Sequence, residues 1–211
     1  FQNRDAPGVF VDVGGGDGIF QSDTFFYEQH LCWTGLVLEP TLNEFPKLKY
    51  NRKHSIPLQV AASNENGEGY MTDVTVNGLW TGWSGFPETF SKDHQNEIEA
   101  NTRPGSVTFR DGWRSDTIRV KRQKLSTTLM EQSIQHVDLL VISVEGHELN
   151  VLKGLELEKE QVTVDLIQVA KPGPRNFQLE TEIYKYMQND VKTHELLPRT
   201  DSKWLMFRRR D

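Results

Sequence analysis

The sequence predicts an α/β fold, a parallel sheet with helices on both faces, and three observations carry that expectation. Residues 9–18, VFVDVGGGDG, pass from a β-branched and aromatic stretch straight into glycines, as where a buried strand turns sharply. Short apolar runs then alternate with helix-forming segments, the βαβα rhythm that builds parallel sheets. Residues 65–124 interrupt that rhythm and it resumes after them, which marks an insertion rather than a second repeat of the fold. At 211 residues the chain is long enough for one sizeable core and short for two, so a single domain over residues 1–211 is expected. Because it starts at Phe1 only a few residues before the first strand, it is read as a piece excised from a longer, multidomain chain.

The elements follow in order. After the glycines, Ser22–Leu31 reads as a helix with Phe25, Phe26 and Leu31 toward the sheet, and WTGLVLEP at 33–40 is a second buried strand ending in an acid. Asn43–Arg52 is a short polar helix, and LQVAAS at 58–63 a third strand ending in small residues. Within the insertion, SKDHQNEIEAN at 91–101 is a helical run, with strand candidates at Ser106–Phe109 and Thr117–Val120. Trp80, Trp83, Phe86 and Phe90 crowd this segment, either fastening it to the core or lining a pocket, with fastening preferred. Leu125–Ser133 is a helix, residues 137–144 a fourth buried strand, and Glu148–Leu155 a helix packed by Leu149, Val151 and Leu152. Val164–Lys171 is a fifth strand closed by Pro172–Pro174, and Phe177–Asn189 is an amphipathic helix. His194–Leu197 and Trp204–Arg208 make a closing antiparallel pair.

The chemistry-bearing residues cluster at strand ends. Gly14, Gly15, Gly16 and Gly18 permit backbone conformations and close approaches that a Cβ blocks, which suits a nucleotide-cofactor loop. Asp12 lies inside the apolar strand and needs an amide, a partner or a ligand to offset its burial. Glu39, about 20 residues beyond the loop at the end of the second strand, stands where an acid accepts hydrogen bonds from two ribose hydroxyls. Ala61 and Ala62 leave room for a flat ring. Ser143 and Glu145 share strand parity and, with His147, are expected at the ligand crevice. His94 and Arg103 are weaker candidates for acceptor contact.

Charge and composition exclude several classes. A net charge of -6 provides no overall basic field for nucleic acid or membrane, although a local patch would suffice. Single Cys32 rules out an intramolecular disulfide framework and reads as a buried, inert thiol. His30, His54, His136 and His194 lack ligand spacing and read as surface or packing residues, so no metal site is assigned from the sequence. There is no transmembrane-length run and no signal-peptide pattern. A soluble chain with a cytoplasmic location favoured is the resulting expectation, and Arg208–Arg210 read as a surface charge run.

Taken together, FVDVGGGDGIFQSDT (10–24), GLVLEP (35–40), VAAS (60–63), SGFPETFSKDH (84–94), DLLVISVEGHELNVLKG (138–154) and WLMFRR (204–209) resemble the FkbM family of S-adenosylmethionine-dependent methyltransferases, in family order over nearly the whole chain. The resemblance implies a class I methyltransferase fold, Rossmann-like, with seven strands of which the last is antiparallel, and the insertion between strands 3 and 4 covering the active site. It implies S-adenosyl-L-methionine as cofactor, held by Asp12, Gly14, Gly15, Gly16, Asp17, Gly18, Glu39, Pro40, Ala61 and Ala62. Ser22 and Thr24 would lie near its methionine end. It also implies O-methylation of a small-molecule or glycan acceptor. One departure bears on activity: similar chains carry Asp where this one has Ser143, and Ser is no general base without a partner. Glu145 and His147 are the remaining candidates for proton removal, and His147 is the one whose ordinary pKa lies near neutrality.

Two other functions compete. RNA cap ribose methylation relies on a Lys-Asp-Lys-Glu tetrad in enzymes of similar fold; Ser143 occupies the Asp position, and Lys171 alone does not complete the set. The other is an interaction domain that kept the fold and lost turnover, for which Ser143 is the main support.

Overall fold

The computed structural model describes residues 6–159, 161–171, 176–198 and 203–210. In chain order the elements are β1 (Val9–Val13), α1 (Phe25–Leu31), β2 (Thr34–Leu38), α2 (Phe45–Asn51), β3 (Ile56–Leu58), β4 (Ala61–Ser63), β5 (Gly67–Val76), β6 (Leu79–Trp80), α3 (Lys92–Thr102) and β7 (Trp113–Lys124). There follow α4 (Leu125–Glu131), β8 (His136–Ile142), α5 (Glu148–Leu155), β9 (Thr163–Ala170), α6 (Phe177–Tyr186), β10 (His194–Leu196) and β11 (Trp204–Arg209).

The central sheet has seven strands in the order β10-β11-β9-β8-β1-β2-β3. β1, β2, β3, β8 and β9 pair in parallel, while β11 runs antiparallel to both β9 and β10. Strand order reverses between β1 and β8, because the chain leaves β1 toward β2 and later returns on its other side. That reversal opens a crevice at the carboxyl ends of these two strands.

Strand parity explains why β1 and β8 read as continuous apolar runs. Val11, Val13, Leu36, Leu140 and Ile142 point to one face, against Leu125 and Leu129 of α4, Val151 and Leu152 of α5 and Ile183 of α6. Phe10, Val37, Leu139 and Val141 point to the other, against Trp33, Leu48, Tyr27 and Phe45. Both faces are covered, so both parities are mainly apolar, with Asp12 and Asp138 the buried acids among them.

The second sheet, β4-β7-β5-β6, joins three strands of the interrupting segment to β4 just before it. β5 and β7 form a long antiparallel ribbon, and β4 pairs in parallel with β7. Met71, Phe86 and Val120 pack with Ala61 at its inner end. Val74, Phe90 and Ile98 form an outer cluster with Trp83 and Trp113, to which α3 is fastened. Ser91 caps α3 by accepting the His94 backbone N–H.

The structure departs from the sequence reading at several places. Residues 58–63 are two strands in two sheets, because the chain turns at Val60, whose N–H donates to the Leu58 carbonyl. β5 had no clear signal: it opens on glycines and buries Asp73, which breaks the alternation. Ser106–Phe109 is a set of turns rather than a strand. Phe26 and Leu31 are exposed, since α1 is short and turns Glu28 inward instead. Cys32 is exposed too; it takes a left-handed conformation at the end of α1, outside the core. Pro172–Pro174 lie outside the described residues.

Candidate functional site

The loop after β1 is built by its glycines. Gly14 has φ 89°, and a Cβ there would lie 2.0 Å from the Ser143 carbonyl oxygen, so β1 and the end of β8 approach this closely only with glycine. The N–H groups of Gly14 and Gly15 both donate to the Leu38 carbonyl at 3.0 and 3.1 Å, tying the loop to β2. Gly16 donates its N–H to Glu39 Oε2 at 3.0 Å. The loop and the acid that follows it are therefore one hydrogen-bonded unit.

Glu39 is buried, and its other oxygen accepts from the Thr41 N–H (2.9 Å) and the Thr41 hydroxyl (2.6 Å). Burial pushes its pKa up to about 7 even so, with Glu44 adding to the rise and the three hydrogen bonds opposing it. Asp12 is likewise buried and raised by desolvation; the Thr24 and Ser22 hydroxyls and the nearby Arg52 charge pull it back down. Both hydroxyls donate to its Oδ2, at 2.6 Å from Thr24 and 3.3 Å from Ser22.

Across the crevice, β8 ends at Ile142 and the chain turns. Glu145 adopts φ 48° and Gly146 φ 99°. The expectation of shared strand parity for Ser143 and Glu145 therefore gives way to a turn that carries Glu145 to the cavity wall. The Glu148 carboxylate holds this turn, accepting the N–H groups of Val144 (3.1 Å) and Gly146 (3.0 Å). Enclosure by protein, with the Glu148 charge beside it, lifts Glu145 to about 8.

His147 behaves in the opposite sense. It is buried, its ring 4.5 Å from that of Phe86, and burial together with the Arg122 charge lowers it to about 4. With the Asn150 amide donating to Nδ1 (3.2 Å), Nε2–H is left to donate to Ser63 Oγ (3.1 Å). The near-neutral titration expected of His147 therefore falls to Glu145, and His147 is a neutral imidazole that ties α5 to β4.

These elements enclose a cavity of about 480 Å³, within the size range of small-molecule sites. Asp12, Gly14, Gly15, Gly16, Ser22, Glu39, Pro40, Ala61, Ala62, Ser143, Glu145 and His147 all line it. Asp17, Gly18 and Thr24 do not. Asp17 accepts the Ile19 and Phe20 N–H groups and shapes the loop, Gly18 packs on Arg52 and Leu48, and fully buried Thr24 supports Asp12 from behind. Lys171 is also absent from the lining, whereas Lys203 and Trp204 at the start of β11 are part of it. Among the insertion aromatics, Trp80 and Phe86 line the cavity, while Trp83 and Phe90 fasten the outer cluster. His94 packs on Phe90 and reaches the Trp83 carbonyl, and Arg103 ends α3.

Sequence reasoning missed Glu148, Arg52, Phe20 and Trp204, and it preferred a fastening role for Trp80, which lines the cavity. Glu148 carried a legible signal, an acid three residues after Glu145 at a helix start. His136, Asp138 and Asp165 also converge, with His136 Nε2 3.1 Å from Asp138 Oδ1, at the amino end of β8 and β9 far from this crevice.

A model of the family described as Methyltransferase FkbM domain matches residues 12–195. No curated protein gives a significant match. Among solved structures, a methyltransferase FkbM from Methylobacillus flagellatus KT superposes with a TM-score of 0.54 at 10% identity, covering 95% of this chain and 43% of that one. The chain thus spans less than half of that protein. A fibrillarin/Nop5p complex chain (TM-score 0.46, 11% identity, 96% and 73% covered) and the delta-N METTL16 MTase domain (0.45, 13%, 97% and 74%) are also similar in outline.

Proposed function

Because the chain belongs to the FkbM methyltransferase domain family, we propose that it uses S-adenosyl-L-methionine to methylate an oxygen of a small molecule or glycan. One observation carries this reading: the glycine loop bonded to Glu39, and Glu145 on its separate turn, line the same cavity from opposite sides. The cavity fits the cofactor. Gly16 leaves open space where a Cβ would lie 4.0 Å from Trp80, Glu39 keeps one lone pair on Oε2 for a ribose hydroxyl, and no described residue donates to Asp12 Oδ1. Bound there, S-adenosylmethionine supplies an electrophilic methyl group on a cationic sulfur.

The residues divide the remaining work. Glu39 would accept a ribose hydroxyl, the loop glycines would let the backbone come close to the cofactor, and Ala61 and Ala62 would leave a flat wall for its ring. Glu145 takes the proton from the acceptor hydroxyl, with a pKa close enough to neutrality to act as a base. His147, neutral, keeps the β4 end in place. Proton removal by a positioned base contributes about 10²–10⁴-fold, and in-line positioning of the acceptor supplies much of the remainder.

Calorimetry with S-adenosylhomocysteine tests the cofactor reading, and methyl incorporation into a panel of hydroxylated acceptors tests the reaction. Absence of binding refutes both. Ser143, facing the cavity where similar chains carry Asp, supports a second reading, a domain that binds cofactor and turns over poorly. Ser143→Asp separates the two, since a gain in rate marks an enzyme running without its full base and no gain in any assay marks a binding domain.

A further inference from the structure

We propose that Arg52 is a positioning residue for this cavity: from outside it, the guanidinium sets the Asp12 carboxylate toward the ligand through the hydroxyls of Thr24 and Ser22. The inference rests on the cofactor reading above, and its test separates the two.

The Arg52 side chain is completely buried, as is that of Glu28, to which Nε donates at 2.5 Å. Ser55 Oγ also donates to that carboxylate, and the His54 N–H reaches its second oxygen at 3.1 Å. The pair is therefore satisfied without the loop. Yet the other side of the fork is spent on the loop: Nη1 donates to the Gly18 carbonyl (3.2 Å) and Ser22 Oγ (3.1 Å), and Nη2 donates to Thr24 Oγ1 (3.0 Å).

These bonds fix the direction of two hydroxyls. Each has one hydrogen, and each accepts from Arg52, so each gives its hydrogen to Asp12 Oδ2. Two relays converge on one oxygen and leave Oδ1 for the cavity, which Asp12 lines. A buried ion pair is a poor source of net stability compared with apolar packing, whereas a rigid fork with five donors is well suited to holding a geometry. Lysine, with a point charge, cannot serve Glu28, Gly18, Ser22 and Thr24 together.

Thr24 offers a clean test because it is fully buried and outside the cavity lining. Thr24→Val keeps side-chain volume and the Arg52–Glu28 pair while breaking the stronger relay. Two measurements are made on Thr24→Val, Arg52→Lys, Asp12→Asn and the Thr24→Val/Asp12→Asn double variant: the carboxyl carbon titration of Asp12 by NMR where Asp12 is present, and S-adenosylhomocysteine affinity by calorimetry. The expected result is an upward shift of the Asp12 titration in both Asp12-containing variants, roughly 10- to 100-fold weaker binding, and a double variant no weaker than Asp12→Asn. An unmoved Asp12 titration overturns the link whatever the ligand does. A shifted titration with unchanged affinity overturns the positioning role. If the wild-type chain binds no S-adenosylhomocysteine, the cofactor reading falls and the titration alone decides whether Arg52 governs Asp12. Should Arg52→Lys fail to fold, Thr24→Val alone carries both measurements.

Discussion

Replacing Glu39 with alanine should weaken cofactor binding while leaving the fold in place, and the size of the loss follows from the hydrogen bonds. Glu39 already accepts from the Gly16 N–H on Oε2 and from both Thr41 donors on Oε1, so one lone pair, on Oε2, is left for a ribose hydroxyl in the proposed complex. A hydrogen bond to a charged acceptor is worth about 1.5–3 kcal/mol, a loss of roughly 10- to 100-fold in affinity. Glutamine should be no better, since its amide nitrogen would face the Gly16 or Thr41 N–H, donor against donor. The carboxylate also sets a pH dependence. With a pKa near 7 in the free protein, it is increasingly protonated below that pH, and S-adenosylhomocysteine affinity should fall by up to about tenfold per unit there. Folding shows the opposite trend. The folded pKa lies above the ordinary 4.5, so the folded chain holds the extra proton between these values and its contribution to stability, at most about 3 kcal/mol, is lost as pH rises through that window. Glu39→Gln should flatten that slope. Calorimetric titration at pH 6 and pH 8, with urea unfolding at pH 5 and pH 8, reads both effects. Equal affinity at the two pH values together with binding by Glu39→Ala within threefold of wild type would refute the assignment.

Other outcomes follow from the same geometry. Methyl transfer should rise with pH through about 8 as Glu145 ionises, and Glu145→Gln should lower the rate by about 10²–10⁴-fold and remove that inflection, read from initial rates across pH 6–9.5. His147, held neutral with a pKa near 4, should contribute no inflection between pH 5.5 and 7, so His147→Gln should change rate by a similar factor at every pH in that range. Glu148→Gln should weaken activity by releasing the turn that presents Glu145, with S-adenosylhomocysteine affinity much less affected. Leu140→Ala, in the fully packed face between β8 and α5, should cost about 2–5 kcal/mol in urea unfolding with the cavity residues in place.

How much was legible in the sequence depended on whether a residue's surroundings were local. The loop, Glu39 and the two alanines could be placed because strand ends in a parallel sheet bring them to one edge, and the apolar runs of β1, β2 and β8 mark that sheet. The small-residue end VAAS hid a change of sheet, since nothing in six residues says that Ala61 and Ala62 pair with a strand sixty positions later. Arg52 was read as the end of a polar helix because its partners, Glu28, Ser22 and Thr24, are separated from it by a strand and two turns. The same distance effect put Phe26 and Leu31 on the wrong side of α1. A buried ion pair claimed the inward face, and an apolar helix stripe carries no trace of that.

Glu145 and His147 show why residue type alone does not choose between two candidate bases. By ordinary pKa the histidine is the better placed of the two candidates to titrate near neutrality. In the structure the histidine is enclosed beside Arg122 with both ring nitrogens bonded, whereas the glutamate sits on a left-handed turn at the cavity wall with a second carboxylate behind it. Desolvation pushes an acid up and an imidazole down, and here it moves the two past one another. The same shift bears on Ser143. An aspartate there would add a third carboxylate beside Glu145 and Glu148 and raise Glu145 further, so Ser143→Asp should move the rate inflection above 8 even as it supplies a second base. A gain in maximal rate accompanied by that alkaline shift would mean that the restored carboxylate supplies a base and titrates together with Glu145. A gain with no shift would mean that the two side chains act independently.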